Sequence, residues 1–267
     1  DQLKNTPVEV VSKIVYLLQG KLRPNFEGVE LGIAEKLAMK SIAKSSGMSI
    51  KKIEDDYKTN GDLGKTAANI LKQKTQTTFS AENITLERVY DTLLKIANLE
   101  GRGSQDMKIK YISSLLNDAT SNEGKFILKI LLGTLRLGIA ENTLMDALAI
   151  AFTGEKSNRE SIEHAYNVSS DLGHVSEVVA NEGIEGIKKF EITMFSPIRP
   201  MLADRVKNEA DAFKKFQTEF AAEYKLDGER AQIHKKGNDV MIFSRSLEKI
   251  TQYYPDIIEK IPSVLIC

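Results

Sequence analysis

A lysine, a tight turn and an arginine stand close together near the C-terminal end of the chain, as Lys225, Asp227, Gly228 and Arg230. A lysine amine is a nucleophile only when it is neutral, and burial or a neighbouring positive charge favours the neutral form. Arg230 would supply that charge and bind a phosphate. Gly228 would let the backbone approach a nucleotide, and Asp227 would orient the turn or bind the ligand. The spacing predicts a nucleophilic lysine, although an exposed lysine at a hairpin edge has the same pattern.

Two glycine turns, each followed by an arginine, belong to an internal repeat. Residues 14–23 recur as 127–136, the run LGIAE at 31–35 recurs at 137–141, and the run DLG at 62–64 recurs at 171–173. Two helical units related by a pseudo-two-fold axis would bury a shared face. Glycine turns also bring backbone N–H groups and arginines, here Arg23 and Arg136, close to phosphate. Duplication for packing and a paired DNA-binding surface explain the repeat equally well.

A second candidate phosphate site follows the Gly-Arg-Gly turn at residues 101–103, where Ser104, Lys108 and Lys110 would surround a helix start. A capped and solvated helix accounts for these residues almost as well. No metal ligands are predicted, because the three histidines lack metal-ligand spacing. The candidate DNA-binding residues are Lys21, Arg23, Gly32, Ser104, Lys108, Arg136 and Gly138.

The elements that must position these residues change in character near residue 190. No proline lies between Pro24 and Pro197, and apolar residues recur at helical spacing before the change. We expect a mainly α protein with a helical domain over residues 1–190, a stiff linker over 191–203 and an α+β domain over 204–267. Expected local elements are a capping box at Ser157 and Glu160, strands at 191–195 and 262–267, a helix at 211–220 and a hairpin formed by 222–234 and 239–244.

Composition limits the function classes. Lysine and arginine balance aspartate and glutamate at 37 each, so any DNA-binding surface must be a local patch. The single cysteine, Cys267, excludes an internal disulfide and favours an intracellular protein, cytoplasmic or nuclear. No stretch has membrane-spanning length and no signal region begins the chain. Because the first residue is not methionine and the last lies within an expected strand, we expect a fragment truncated at both ends.

The segment around Lys225 resembles the Lys-x-Asp-Gly-x-Arg motif of the covalent nucleotidyltransferases. The wider sequence resembles the ATP-dependent DNA ligases of the archaeal and eukaryotic replicative type. The similar segments are residues 133–141, the connector SPIRPMLA at 196–203, FSRSLE at 243–248 and YPDI at 254–257. Ser246 departs from the asparagine of most relatives and leaves Arg245 intact.

This resemblance implies an all-helical DNA-binding domain followed by the truncated start of an adenylation domain. It implies that Lys225 attacks the α-phosphate of ATP and carries AMP, which passes to the 5′-phosphate of a nick before the 3′-hydroxyl seals the strand. Glu223 would contact adenine, Arg230 would contact ribose and phosphate, and Arg245 would help bind nucleotide and nick. Mg²⁺ would offset the phosphate charge. The implied partner is nicked duplex DNA, bound by a monomer in replication, repair or recombination.

Several alternatives stay open from the sequence. The chain could be an RNA ligase or capping-type transferase, which the repeated helical domain argues against, or a nick-binding module without catalysis. Residues 76–79 resemble a degenerate sliding-clamp peptide, although a plain linker is the preferred interpretation. The later motifs of the family do not occur in these 267 residues, so we expect the chain alone not to seal nicks and to charge itself with AMP poorly or not at all.

Overall fold

Helices dominate the chain, as the helical apolar spacing predicts. A computed structural model describes residues 3–74, 83–135, 140–201, 204–216 and 218–265. Four helices form a first unit and four form a second: α1 Val8–Leu18, α2 Glu35–Ser46, α3 Ile50–Asn60 and α4 Leu63–Lys72, then α7 Ser121–Leu131, α8 Glu141–Thr153, α9 Arg159–Ser169 and α10 Leu172–Ile187. Between the units lie α5 Leu86–Ala97 and α6 Ser104–Asp118. No helix within the described ranges has the length and apolar character needed to cross a bilayer.

The two units exchange their first helices. Among the described residues, the most extensive helix contacts are those of α4 with α7 and of α1 with α10. Since the repeat makes α1 equivalent to α7 and α4 equivalent to α10, each contact maps onto the other, as a pseudo-two-fold axis requires. The predicted pseudo-two-fold helical domain is therefore confirmed, and the exchange explains how the repeat buries a shared face.

Two glycines of the repeated DLG run allow the exchanged helices to approach closely. A Cβ atom on Gly64 would lie 2.8 Å from the carbonyl oxygen of Lys125 in α7. On Gly173 it would lie 2.2 Å from the ring of Tyr16 in α1. Atoms in a close-packed interior do not tolerate such distances, so a larger residue at either position would force its neighbours to shift. Packing therefore accounts for the recurrence of this part of the repeat.

The aspartates just before these glycines serve both helices of each contact. Asp62 and Asp171 each accept a hydrogen bond from a backbone N–H in the first turn of the helix they cap. Asp62 also pairs with the Lys129 ammonium at 2.9 Å, while Asp171 accepts the Tyr16 hydroxyl at 2.6 Å. Lys129 and Tyr16 are equivalent positions of the repeat, so the same polar contact is made with different chemistry on the two sides.

The core is divided among three clusters of buried apolar side chains. One joins the first unit with α5, α6 and α7, and a second joins α8, α9 and α10 with α1. The third contains Val240, Ile242 and Ile250, with half-buried residues around them. Because each fully buried aliphatic side chain contributes about 1.5–3 kcal/mol, the helical clusters hold most of the stabilising burial in the described chain.

The C-terminal part contains α11 Glu209–Phe216, the strands β1 Gln232–Lys236 and β2 Asp239–Phe243, and α12 Pro255–Val264. The two strands pair antiparallel from Gln232↔Phe243 to Lys236↔Asp239. Gly237 supplies the positive φ, 61°, that the tight turn needs. The hairpin prediction is thus confirmed around its turn.

Four local predictions were wrong in extent or type. Residues 222–231 form no strand, nor do residues 191–195, and the helix placed at 211–220 begins and ends earlier. The expected strand at 262–267 belongs instead to α12 as far as Val264, while residues 266–267 lie outside the described chain. Ile257, Ile258 and Ile261 recur at helical spacing and pack against the third cluster, and this longer pattern overrides the short apolar run at the end.

The capping box also lies elsewhere than predicted. Ser157 and Glu160 do not form one. Asn158, the residue just before α9, already has a helical backbone conformation, and its side chain accepts no capping hydrogen bond. Thr120 and Glu123 form the reciprocal pair instead, at the start of α7. Both sites have the same spacing of residue types, so only the backbone conformation separates them.

Candidate functional site

The loop after α1 carries three of the candidate DNA-binding residues and lines a groove of about 880 Å³. Lys21, Arg23 and Gly32 lie on its wall, and residues 130–133 at the end of α7 contribute a second side. Residues 248–250, 252 and 253 of the C-terminal part close the third side. The groove therefore lies where both helical units and the C-terminal part meet.

The glycine turns of the two units have the same geometry. Gly20 has φ 72° and Gly133 has φ 63°, a left-handed conformation that favours glycine. The next N–H in each turn bonds to a carbonyl in the last turn of its helix, from Lys21 at 3.0 Å and from Thr134 at 2.9 Å. Both loops leave their helices by equivalent turns beside the groove. Arg136 and Gly138, the candidates in the second loop, lie outside the described residues.

Arg23 reaches the groove but has an acidic neighbour. Its Nε atom lies 3.9 Å from Glu27 Oε2, and both side chains are about two-fifths exposed, at 41% and 42%. Burial raises the pKa of Glu27, and the charge of Arg23 only partly offsets that rise. Arg23 is thus accessible to a phosphate, but the phosphate would compete with Glu27 for the guanidinium.

Lys21 lies in different surroundings from Arg23. It is half-buried, and burial lowers its pKa, with the carboxylates of Glu141 and Asp171 acting against that change and Arg199 adding to it. The side chain therefore belongs to a cluster of charges between the second unit and the connector. Of the two basic residues in this loop, Arg23 is the better placed to meet a ligand.

Lys108 extends from α6 to the same loop. Its Nζ atom donates to the carbonyl oxygen of Leu31 at 3.4 Å, and a Cβ on Gly32 would lie 3.9 Å from it. Ser104 is the first residue of α6, one turn before Lys108 on the same side of the helix. The structure thus brings Gly32 and Lys108 together. Since Lys108 also holds the loop, its contact has a structural use in addition to the expected phosphate contact.

The segment around Lys225 is exposed. Glu223, Lys225, Asp227, Gly228 and Arg230 all face solvent, and no described helix or strand includes them. The flanking Tyr224 and Leu226 are 95% and 85% exposed. The burial expected for the lysine is therefore not found in the described chain, because no described layer covers the apolar side chains that alternate with it.

Two hydrogen bonds hold the segments that carry the nucleotide-binding candidates. The Tyr254 hydroxyl donates to Glu229 at 2.7 Å, which raises the pKa of Tyr254 and ties the lysine segment to the start of α12. Arg245 is exposed in a turn closed by the Ser244 N–H, which donates to the Glu248 carbonyl at 2.9 Å. Within the described residues, no hydrogen bond or ion pair joins the lysine segment to the groove.

The turn that carries Arg245 touches the groove loop directly. The Asn25 side chain donates to the Ser246 carbonyl at 3.1 Å, and the Ser246 hydroxyl lies 2.9 Å from that of Ser244. Ser246, the departure from the family pattern, therefore stabilises its own turn. The contact places Arg245 beside the loop of Arg23, which the sequence alone did not predict.

A metal site is not formed by the described residues. No group of three or more histidine, cysteine, aspartate or glutamate side chains that could hold a metal occurs among them. The Mg²⁺ that the resemblance implies would take most of its ligands from nucleotide phosphates and water, so it does not require such a group.

Each unit contains a tyrosine–glutamate pair that was not predicted from the sequence. The Tyr57 hydroxyl donates to Glu35 at 2.7 Å, and the Tyr166 hydroxyl donates to Glu141 at 2.7 Å. The signal was available, because each glutamate ends an LGIAE run and each tyrosine stands at the same spacing before a DLG run. In the second unit the pair also binds Arg199 of the connector, Nη2 to Glu141 Oε2 at 2.8 Å.

Comparisons with known proteins match two successive segments of the chain to two family models. Residues 2–149 match the family described as DNA ligase N terminus, and residues 200–266 match the ATP dependent DNA ligase domain.

Three archaeal relatives align over nearly the whole chain. The DNA ligase of Nitrosopumilus maritimus (strain SCM1) is 70% identical over 262 residues, which are 98% of this chain and 45% of that protein. The DNA ligase of Cenarchaeum symbiosum (strain A) is 64% identical over 263 residues, 98% of this chain and 45% of that ligase. DNA ligase 2 of Thermofilum pendens (strain DSM 2475 / Hrk 5) is 45% identical over 263 residues, 96% of this chain and 44% of the relative.

The chain spans less than half the length of these relatives. One family model nevertheless matches more than half of the chain, and a second matches most of the rest. The chain belongs to the DNA ligase family, in which it joins the N-terminal domain to residues of the ATP-dependent ligase domain.

Proposed function

We propose that the chain supplies the DNA-binding domain and the nucleophilic lysine of an ATP-dependent DNA ligase. The observation that supports the proposal is the contact between Asn25 and Ser246 at 3.1 Å, which joins the turn of Arg245, a candidate for nucleotide binding, to the loop of Arg23. A groove bounded by both helical units and by residues 248–250, 252 and 253, which follow the turn of Arg245, suits a reaction that joins nucleotide chemistry to a duplex.

The chemistry assigned to Lys225 is a nucleotidyl transfer. Its amine attacks the α-phosphorus of ATP, the new N–P bond forms as the P–O bond to pyrophosphate breaks, and AMP stays on the lysine. A 5′-phosphate oxygen at the nick then takes the AMP and releases the lysine. The 3′-hydroxyl attacks that 5′-phosphate and expels AMP, which seals the strand. ATP is the expected nucleotide because the matched domain is described as ATP dependent.

The other candidates bind and orient in this scheme. Glu223 accepts from the adenine amine, Arg230 neutralises phosphate beside the ribose, and Arg245 spans nucleotide and nick. Asp227 and Gly228 shape the turn that lets the backbone approach the nucleotide. Their exposure leaves the segment open to a ligand but without the covering layer that would desolvate Lys225.

The DNA contacts are assigned to the loops of the two units. Arg23 and Gly32 from the first loop, with Lys108 and Ser104 from α6, would hold one strand. Arg136 and Gly138 would hold the other by the pseudo-two-fold relation. Such contacts to phosphate position the duplex and carry no sequence preference, which suits an enzyme that must act at any nick.

The transfer of label from ATP tests the role of Lys225. In the full-length ligase that contains this chain, incubation with ATP labelled at the α-phosphate should leave label on the protein, and Lys225→Ala should abolish it. Lys236→Ala, an exposed lysine of β1 in the same domain, is the matched control and should keep the label. Label that survives in the Lys225→Ala protein would refute the assignment. The 267-residue chain alone should bind nicked duplex but not seal it.

Several finer expectations accompany this function. Mg²⁺ as the counter-charge to phosphate, a monomeric state and a cytoplasmic or nuclear location stay predictions. The clamp-like residues 76–79 lie outside the described residues, and a plain linker is still preferred there. The pathway, whether replication, repair or recombination, is not distinguished by this chain.

A further inference from the structure

The connector between the two parts of the chain is docked on the second helical unit. Its residues 196–199 run along the turn between α9 and α10 and make three hydrogen bonds with it. These are Ser196 Oγ to the Ser169 carbonyl at 2.9 Å, the Arg199 N–H to the Asn167 carbonyl at 2.8 Å, and Ser170 Oγ to the Pro197 carbonyl. Backbone atoms of the connector take part in two of the three, so its path is fixed as well as its side chains.

The Arg199 side chain is the centre of this docking. Its Nη2 atom lies 2.8 Å from Glu141 Oε2, and its guanidinium carbon lies 4.0 Å from the centre of the Tyr166 ring. Tyr166 donates to the same carboxylate, so the three groups hold one another. Burial acts to raise the pKa of Glu141, but the Tyr166 hydrogen bond and the charge of Arg199 outweigh it and hold that pKa below its usual range. Glu141 therefore stays charged and available to Arg199.

The opposite side of the connector is held by β1. The Phe195 N–H donates to His234 Nδ1 at 2.9 Å, and the Ile198 N–H donates to Gln232 Oε1 at 3.0 Å. Phe195 has φ 67°, an uncommon conformation for a bulky residue, so its N–H is directed to the histidine at a cost in backbone conformation. The connector is thus bound by the helical domain on one side and by the hairpin on the other.

The second unit is specialised for this docking, and the first is not. Gly61 ends α3 with φ 62°, as glycine readily does, whereas the equivalent residue after α9 is Ser170 with φ 56°. A side chain is disfavoured in this conformation. The serine hydroxyl binds the Pro197 carbonyl, which gives a reason for a residue that the other copy does not use.

We infer that Arg199, seated on Glu141 and Tyr166, is a positioning residue that fixes the orientation of the nucleotide-binding part on the second helical unit. The docking itself stands on the contacts above. Its consequence for nick sealing, the placement of Arg245 and Lys225 relative to the groove, rests on the proposed function. No part of this role follows from the nucleotidyltransferase motif, because Arg199 lies outside it.

The first test measures the connector directly in the full-length ligase. Arg199→Ala should make the amides of Arg199 and Ile198 exchange with solvent about tenfold faster. It should also widen the distribution of distances between a label on α9 and a label on the hairpin. Arg199→Lys keeps the charge but loses the planar guanidinium, so both measurements should lie between those of the wild type and those of Arg199→Ala. Lys189→Ala breaks an exposed ion pair with Glu182, at 2.7 Å in the same helical domain, and should change neither measurement.

Backbone-specific variants keep the inference falsifiable if Arg199→Ala folds poorly. Ser170→Gly relieves the disfavoured conformation and removes the hydroxyl, so it should loosen the connector while the helical domain melts no lower. Gly61→Ser, the same exchange at the equivalent position of the first unit, is the matched control and should leave the connector unchanged. Connector exchange equal to wild type in both Arg199→Ala and Ser170→Gly would overturn the inference.

Enzyme kinetics separate this inference from the proposed function. If both hold, Arg199→Ala should lower the rate of nick sealing while AMP transfer to Lys225 and the affinity for nicked DNA change less than twofold. A merely structural role would lower the melting temperature and all three activities together, which contradicts positioning. The two ideas can also fail separately. If Arg199→Ala loosens the connector but Lys225→Ala still forms the labelled adduct, the positioning role of Arg199 stands and the proposed function is refuted.

Discussion

Arg23 and Glu27 face each other at the edge of the groove, 3.9 Å apart. An exposed pair of this kind contributes only about 0.2–1 kcal/mol, so a phosphate with a stronger, charge-assisted bond to the arginine can displace the carboxylate. The neutral overall charge of the chain then places no obstacle to DNA binding, because the relevant cations are local. Two changes at this pair should act in opposite directions on the same affinity.

Removal of Arg23 should weaken binding to nicked duplex. Because the guanidinium is expected to neutralise about one phosphate, Arg23→Ala should lower the affinity and reduce the slope of log affinity against log salt by about 1. Arg136→Ala should do the same if the second loop is used in the same way. Fluorescence anisotropy across a salt series measures both, with the exposed Lys58→Ala as control. A lower melting temperature with unchanged affinity would show that the repeat serves packing alone.

Removal of the acid beside Arg23 should strengthen binding. Glu27→Gln frees the guanidinium and deletes a charge that repels phosphate, so the affinity for duplex should rise about two- to threefold, the magnitude of one exposed ion pair. Since the pKa of Glu27 is raised, binding by the wild-type chain should also strengthen as pH falls towards that pKa. The Glu27→Gln chain should lack this pH effect. Glu54→Gln on α3 is the control, and equal affinities for the two variants would contradict a role for Arg23 at the groove.

The repeated elements are built on glycine at the contact between exchanged helices. Gly173→Ala would drive a methyl group into the Tyr16 ring at 2.2 Å, and Gly64→Ala would drive one onto the Lys125 carbonyl at 2.8 Å. Overpacking of this kind costs about 1–3 kcal/mol in the free energy of unfolding. The ring can shift, but the carbonyl belongs to the backbone of α7, so we expect the larger loss at Gly64.

Denaturant unfolding of the two alanine variants measures this expectation. Tyr16→Leu removes the ring, so the double change with Gly173→Ala should be less destabilising than the sum of the two single changes. The losses of Tyr16→Leu and Gly64→Ala should instead be additive in the double variant, because Gly64 does not touch Tyr16. Equal, additive losses at both glycines would mean that the helices separate readily and that the close approach is not needed.

Predictions that rested on long sequence patterns were confirmed more often than predictions that rested on short ones. The helical domain was predictable because its sequence blocks recur in order. Both copies of such a repeat must form the same helices and the same packing contacts. Short signals failed where two sites shared them, as at Ser157 and Thr120, or where a longer pattern overrode them, as in α12. The backbone conformation that separates such sites depends on tertiary contacts that a local window does not contain.

At the scale of the whole molecule, the sequence offers candidate site residues but not their arrangement. The motif of Lys225 and the run that contains Arg245 are recognisable because each is a local run of residue types. The contact between Asn25 and Ser246 joins residues far apart in sequence, and so does the docking of Arg199 on Glu141. Asn25, Arg199 and Ser246 lie outside the repeated blocks, so only the fold reveals that the connector holds the two parts together.

The junction between connector and hairpin should respond to pH through His234. Its Nδ1 atom accepts the Phe195 N–H at 2.9 Å and is able to do so only while it is unprotonated. Burial against the Phe243 ring, 5.2 Å away between centroids, lowers the pKa of His234. The unfolded chain therefore binds more protons than the folded one between the lowered pKa and the ordinary value of about 6.5.

The sign of the effect follows from that difference. The contribution of His234 to stability should be complete above about pH 6.5 and should decline as pH falls through that value towards the lowered pKa. Exchange of the Phe195 amide between pH 5 and 8, corrected for the intrinsic pH dependence of exchange, measures the loss. His234→Asn keeps a side-chain acceptor that does not titrate, so its corrected exchange should be flat over the same range. A pH dependence that persists in His234→Asn would assign the effect to another group and would leave the hairpin side of the junction insensitive to acid.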